Sequence, residues 1–270
     1  MLKLKLIAVL FFALAGFGLQ GAEIPAGQLP AINDFAIVDN AGEQYIAATG
    51  QGLYHSVDRG SSWRAHKTGF GLPTTMVETT PGGAVYAFVV TLGLLELDPA
   101  TNQWLQINNR FGGQVLQQLS STTRNPSRLV ARNHFGKLIV SENRGKDWQK
   151  LRGPYQARTE DEKRGQRTYI EKCQSCHGVD GVGETFTRQA LTDKDYIMAP
   201  ALDESAHAWH HTDEQLAQTI IEGSPRTARM PAGRNSGISA ADAQDLVAYI
   251  KSLWTQRELD CQGPKHMECM

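Results

Sequence analysis

The chain has 270 residues, enough for two ordinary domains. Its 27 Lys+Arg balance 28 Asp+Glu, so there is no basic excess of the kind that calls for nucleic acid. The N-terminus carries Lys3 and Lys5 ahead of an apolar run, Leu6 to Leu19. That run is short for a membrane span, which needs about 20 residues, and fits a secretory leader of residues 1–22 cut near Gly21 or Ala22. An uncleaved anchor is the alternative. No other apolar run approaches membrane length, so the expected product is exported, to the periplasm, with no stable span after cleavage. There Cys173, Cys176, Cys261 and Cys269 meet an oxidising environment.

Residues 23–151 repeat. Three segments align on their last residue: "GLYHSVDRGSSW" at Trp63, "GLLELDPATNQW" at Trp104 and "GKLIVSENRGKDW" at Trp148. Spacings of 41 and 44 residues match one four-stranded propeller blade each. Strand patterns precede each tryptophan: "FAIVD", "QYIAAT" and "GLYHS", then "TMVET", "AVYAFVV" and "LLELD", then "RLVAR" and "KLIVSE". Ser56 to Trp63 reads S-x-D-x-G-x-x-W, and Ser141 to Trp148 repeats it with Asn143 for the Asp, while the middle copy keeps Asp98 and Trp104. The pattern resembles the Asp-box (BNR) repeat of sialidase and sortilin-type propellers, where it is a turn device: a carboxylate or amide bonding backbone, a Gly in an unusual conformation, a Trp plugging between strands. No sialidase-like set of arginines around a Tyr–Glu pair accompanies it, so the resemblance implies structure and not catalysis. Propellers close with four or more blades. Three units therefore imply a cryptic blade, an open stack or a homodimer.

Around Pro154 the sequence turns polar and charged, marking a linker at residues 152–159. Beyond it helical signals replace strands, and residues 160–256 form the second domain. A first helix is expected from Glu160 to Cys173. Thr212 with Gln215 makes a capping box for a second, stopped by Gly223. Ser239 opens a third, with Ala243, Leu246, Val247, Ile250, Leu253 and Trp254 at helical spacing. The fold class is therefore an all-β propeller-like module followed by an all-α domain. About a hundred residues of long loops around three helices need a large apolar body at their centre.

"YIEKCQSCHGVDG" names that body. A redox dithiol wants a βαβ setting, which is missing, and a four-cysteine zinc site wants a second close pair, whereas Cys261 and Cys269 lie eight apart at the chain end. Two thiols with a following His suit covalent haem attachment with an axial imidazole. Three stretches carry a further likeness: "RGQRTYIEKCQSCHG", "APALDESAHAWHHTDEQLAQTIIEG" and "RMPAGRNSGISAADAQDLVAYIKSLW". Residues 160–256 resemble the class I cytochrome c family. The resemblance implies haem c tethered by Cys173 and Cys176, His177 as proximal ligand, and Pro200 taking the ring N–H of His177 through its carbonyl. It implies Met230 as distal ligand, with Met198 as runner-up, and Trp209 at the haem edge. For His207, His210 and His211 the alternatives are bis-His ligation and an adventitious metal, and the preferred reading leaves them solvent-facing or bonded to the propionates. Gly165 and Tyr169 would cross Leu246 and Tyr249. His and Met together fill the iron's axial positions, which makes the domain a one-electron carrier and not a catalyst.

Residues 257–270 extend past the family's usual end and gather Cys261, His266, Met267 and Cys269. A Cys261–Cys269 disulfide and a copper site of soft sulfur with imidazole are the two expectations. The expected function is an exported monohaem electron carrier whose β module docks a periplasmic redox partner or a sister chain. Its rivals are an electron-transfer subunit or domain of a periplasmic oxidoreductase and a copper-handling protein.

Overall fold

A computed structural model describes residues 19–150 and 158–269. Most of the expected leader, most of the linker and Met270 lie outside these residues.

The first module is three antiparallel sheets in succession. The first holds β1 (Leu19–Pro25), β2 (Ile32–Ile37), β3 (Tyr45–Thr49), β4 (Gly52–Ser56) and β5 (Ser62–His66), in the order β1-β5-β4-β3-β2. The second runs β6 (Thr74–Thr79), β7 (Val85–Val89), β8 (Gly93–Asp98) and β9 (Gln103–Asn108). The third runs β10 (Leu116–Ser120), β11 (Leu129–Asn133), β12 (Leu138–Ser141) and the two-residue β13 (Gln149–Lys150). The second and third sheets, and β2 to β5 of the first, are up-and-down meanders, the form of a propeller blade, while β1 adds to the far edge of the first beside β5. The N-terminal strand was not expected. β1 starts inside the segment assigned to the leader, with Leu19 opposite His66 and Ile24 opposite Trp63. A cut at Gly21 or Ala22 would remove the start of this strand and leave its Ile24 and Pro25 pairings.

The sheets stack on their faces, which explains the strand sequences. In the second sheet, Val85, Ala87 and Val89 of β7 pack toward Ala36, Ile46, Ala48 and Leu53 of the first. Tyr86 and Phe88 of the same strand pack toward Leu119, Leu129, Ala131 and Ile139 of the third. A middle sheet covered on both faces needs continuous apolar strands, and "VYAFV" is buried throughout. The outer face of the first sheet holds Ala47, Tyr54, Trp63 and Ala65, partly covered by Ile24 and Leu29. Phe35 and Ile37 on that sheet stay exposed, at 64% and 47%.

The two full S-x-[DN]-x-G-x-x-W turns share one geometry. Asp58 accepts from the Ser62 N–H at 2.9 Å and the Ser56 hydroxyl at 2.7 Å. Asn143 accepts from the Asp147 N–H at 2.9 Å. Gly60 and Gly145 sit at φ 85° and 82°, where a side chain would be strained. The indole N–H groups of Trp63 and Trp148 then donate to Gly60 O and Gly145 O at 3.0 and 2.9 Å.

The second module begins at Thr159, whose capping box with Glu162 opens α1 (Glu160–Lys172). There follow α2 (Gln174–His177), α3 (Arg188–Thr192), α4 (Asp213–Glu222), α5 (Ala240–Lys251) and α6 (Gln256–Asp260). The last long helix ends at Lys251, so Leu253 and Trp254 lie beyond it, buried in the turn that follows. There the Trp254 indole donates to Leu202 O at 2.9 Å. Helices α1 and α5 cross at Gly165, where an added Cβ would fall 1.9 Å from Asp245 O. Arg164 straps the crossing with a bidentate pair to Asp245 at 2.7 and 2.9 Å.

Among the described residues, hydrogen bonds and ion pairs join the modules at two places. Gly113 N–H donates to Val182 O at 3.2 Å, and Thr185 Oγ1 to Asn109 O at 3.3 Å. Lys150, at the end of β13, lies 2.8 Å from Asp203 and 2.6 Å from Glu204, both carboxylates nearly fully buried.

Candidate functional site

The site is built from one helical turn. Cys173 caps α1, and α2 starts at the next residue, with the Cys176 and His177 N–H groups both donating to Cys173 O at 3.1 and 2.9 Å. Offsets of three and four in a helix put Cys173, Cys176 and His177 on one face. Both thiols are free. Burial, then the neighbouring Cys176 sulfur, pushes Cys173 up to about 11, so it is a neutral thiol.

Gly178 ends the turn at φ 74°, and Gly183, at φ 86°, returns its N–H to His177 O at 2.7 Å. Glycine is required at the return, because a Cβ on Gly183 would lie 2.8 Å from Ala201 N. The imidazole of His177 is 7% exposed and its Nδ1 lies 2.8 Å from Pro200 O. A carbonyl only accepts, so the proton is on Nδ1 and the Nε2 lone pair is free. Burial lowers the His177 pKa, against the opposing pull of the Pro200 carbonyl and Glu184. The crossing helices support this turn: Tyr169 Oη donates to Gly178 O at 2.7 Å and Tyr249 Oη to Asp180 at 3.1 Å. Two free thiols, an imidazole oriented through its Nδ1–H by the Pro200 carbonyl with its Nε2 lone pair left to bind, and a glycine-shaped return form a donor set that fits haem c.

Met230 is half-buried at the end of the segment after α4. Its carbonyl accepts from Ser224 N–H at 3.1 Å, and a Cβ on Gly223 would meet that carbonyl at 2.7 Å. Met198, also half-buried, sits two residues before Pro200. Trp209 lies in the helical core, 5.4 Å from the Arg257 guanidinium and against the rings of His210 and His266. His207 and His211 are exposed. In the tail, Cys261 and Cys269 form a disulfide, His266 Nδ1 donates to Gly263 O at 2.6 Å, and Met267 is 68% exposed. With both sulfurs bonded to each other, the described residues of the tail present an imidazole and an exposed thioether to a soft metal. No group of three His, Cys, Asp or Glu among the described residues is arranged to hold one.

Sequence reasoning missed Glu184, Tyr196 and Arg229. Arg229 pairs with Glu184 at 2.7 Å, the Tyr196 hydroxyl donates to Glu184 at 2.6 Å, and the guanidinium lies 4.2 Å over the Tyr196 ring. Burial would raise Glu184, but the bonds from Arg229, Tyr196 and Ala199 N–H outweigh it and hold its pKa at about 2. No local pattern links residues 45 positions apart.

Residues 160–250 match the family described as cytochrome c oxidase, cbb3-type, subunit III. The chain thus holds an all-β module followed by a helical cytochrome c domain, a domain type that implies haem c and an electron-transfer role. Such domains are typically extracytoplasmic. Among the described residues no helix is long and apolar enough to cross a membrane. No curated protein matches the chain. Among solved structures, it is similar to YCF48 from Cyanidioschyzon merolae, with 16% identity over 48% of this chain and 40% of that one, TM-score 0.37. It is also similar to the GH74 xyloglucanase from Xanthomonas campestris, with 23% identity over 41% of this chain and 19% of that one, TM-score 0.31. The GH74 enzyme of Niastella koreensis gives 16% identity over 43% and 22% of the two chains, TM-score 0.34. The chain thus spans two fifths or less of each of these structures, and the propeller-like form rests on its own strand order.

Proposed function

We propose that the chain is an exported monohaem c-type cytochrome that carries single electrons in the periplasm. Cys173 and Cys176 carry the haem through thioethers, His177 is its proximal ligand and Met230 its distal one. The observation that carries this is the single turn Cys173–His177, with two free thiols and a buried imidazole whose Nδ1 is committed to Pro200 O at 2.8 Å. The sequence contains one such motif, hence one haem. Bound there, haem supplies a reversible one-electron couple. The chain's own residues do the rest. Pro200 fixes the tautomer and orientation of His177 and strengthens its donor atom. Tyr169 and Tyr249 hold the turn from the helix crossing. Met230 would be the second protein ligand to the iron, and with His177 also bound no position would remain for oxygen or peroxide.

The β module docks a redox partner or a second copy; the exposed Phe35 and Ile37 on the outer face of the first sheet support that role. The test is a potentiometric titration of the purified protein with haem stoichiometry. One haem per chain, a one-electron Nernst slope and no rapid carbon monoxide binding by the ferrous form are expected. Rapid carbon monoxide binding by the ferrous form would remove the carrier assignment.

A second reading is an electron-transfer subunit of a periplasmic oxidoreductase, favoured by the cbb3-type subunit III description of the matching family. Co-migration of the haem with a larger complex on native gels would select it, and a free chain in every fraction would exclude it.

A further inference from the structure

We infer that Arg229 is a positioning residue, a latch that holds the Met230 loop onto the loops that fix His177. This rests on the assignment of Met230 as the distal ligand. Arg229 immediately precedes Met230. Its Nη2 donates to Glu184 Oε1 at 2.7 Å, and its Nη1 to Glu184 Oε2 at 3.0 Å and to Ile197 O at 2.7 Å. The guanidinium also lies 4.2 Å over the Tyr196 ring. Glu184 is held in turn by Tyr196 Oη at 2.6 Å and Ala199 N–H at 2.9 Å.

Both anchors belong to the proximal side. Glu184 follows Gly183, whose N–H binds His177 O, and Ala199 precedes Pro200, whose carbonyl takes the His177 Nδ1 proton. One planar cation thus couples the backbone before Met230 to the two segments that set the imidazole. A bidentate Arg–carboxylate pair fixes orientation as well as distance, which a lone ammonium cannot do. Among the described residues, the other anchors of Met230 lie on its own side: Ser224 N–H to Met230 O at 3.1 Å, Met230 N–H to Thr227 O at 3.4 Å, and the tight approach of Gly223. Without the latch the loop is held at α4 and free toward His177. Met230 then leaves the iron more often.

Exogenous imidazole binds ferric haem only when Met230 is off, so it reads the latch. In the haem-loaded full-length protein, Arg229→Gln is expected to bind imidazole about tenfold more tightly than wild type, since charged hydrogen bonds are lost. The far-red thioether-to-iron charge-transfer band should weaken. Glu184→Gln should reproduce the effect, the double variant should add little to either, and Arg229→Lys should fall between. Haem content and the unfolding midpoint serve as controls for a purely structural effect, and Glu184→Gln carries the test if Arg229→Gln folds poorly. Unchanged imidazole affinity in both single variants, with the charge-transfer band present in wild type, would overturn the latch alone. A wild type lacking that band, or one that Met230→Ala leaves unaltered, would overturn the ligand assignment instead.

Discussion

Gly165→Ala is the sharpest test of the helical module. In an exposed helix this change stabilises by about 1 kcal/mol, because alanine loses less backbone entropy. Here the new Cβ would lie 1.9 Å from Asp245 O and 2.9 Å from the Tyr249 Cβ. The obstacle is backbone and cannot rotate away, so α1 and α5 must part by about 1 Å or more. Overpacking of this kind costs about 3 kcal/mol. The separation also loosens the Arg164–Asp245 pair and the bonds from Tyr169 to Gly178 and Tyr249 to Asp180, each worth about 1 kcal/mol. The balance is a loss of about 2–4 kcal/mol, or a fall in Tm of about 10–20 °C for a domain of this size. Thermal unfolding followed at the haem absorbance measures it directly. A Tm at or above wild type would refute the close crossing and the support it gives to the Cys173–His177 turn.

Lys150→Met leaves the nearly buried carboxylates of Asp203 and Glu204 without their cation, a loss of about 3 kcal/mol. Urea unfolding should then split, with tryptophan fluorescence and haem absorbance no longer coincident; coincident curves at wild-type midpoint would contradict the junction. Asp58 is held down to about 2, chiefly by the Ser62 hydroxyl and N–H, from 3.8 when free. A depressed carboxylate contributes stability that is present above its unfolded pKa and lost as pH falls through the folded one. Wild type should therefore lose stability from about pH 4 down to about 2, and Asp58→Asn, which copies the natural Asn143 turn, should flatten that loss; equal slopes would dismiss it. Replacing Cys261 and Cys269 by Ser opens a loop of eight residues' separation and should cost about 2.5 kcal/mol with haem content unchanged. Loss of haem in that variant would show that the tail serves the site.

Local signals made much of the fold readable. Apolar runs such as "VYAFV" mark strands, and their continuity reports a sheet covered on both faces. The capping box at Thr212 and the Ser239 cap place the starts of α4 and α5 to the residue, because the cap is a bond within four positions, while the apolar spacing carries the last helix past its end at Lys251. Strands β5, β9, β10 and β13 escaped notice: they read "SWRAH", "QWLQIN", "LQQLS" and "QK", with too few apolar residues to stand out. β1 was hidden because Leu19 also prolongs an apolar leader. For the site, one turn carries both thiols and the imidazole, so spacing alone collects them. Pro200 followed from the family's pattern and not from its own surroundings. The Arg229–Glu184–Tyr196 and Lys150–Asp203–Glu204 clusters were illegible. Each joins charges 45 to 54 residues apart, and nothing in a sequence chooses one distant partner over another.

The central claim is a haem bonded to Cys173 and Cys176. The direct measurement is a pyridine haemochrome spectrum of protein made with the haem-attachment machinery, denatured and extracted with acid–acetone. The account predicts a thioether-type spectrum that stays with the polypeptide at one haem per chain, and its loss in Cys173→Ser with Cys176→Ser. Colourless protein with all pigment in the organic phase would contradict it.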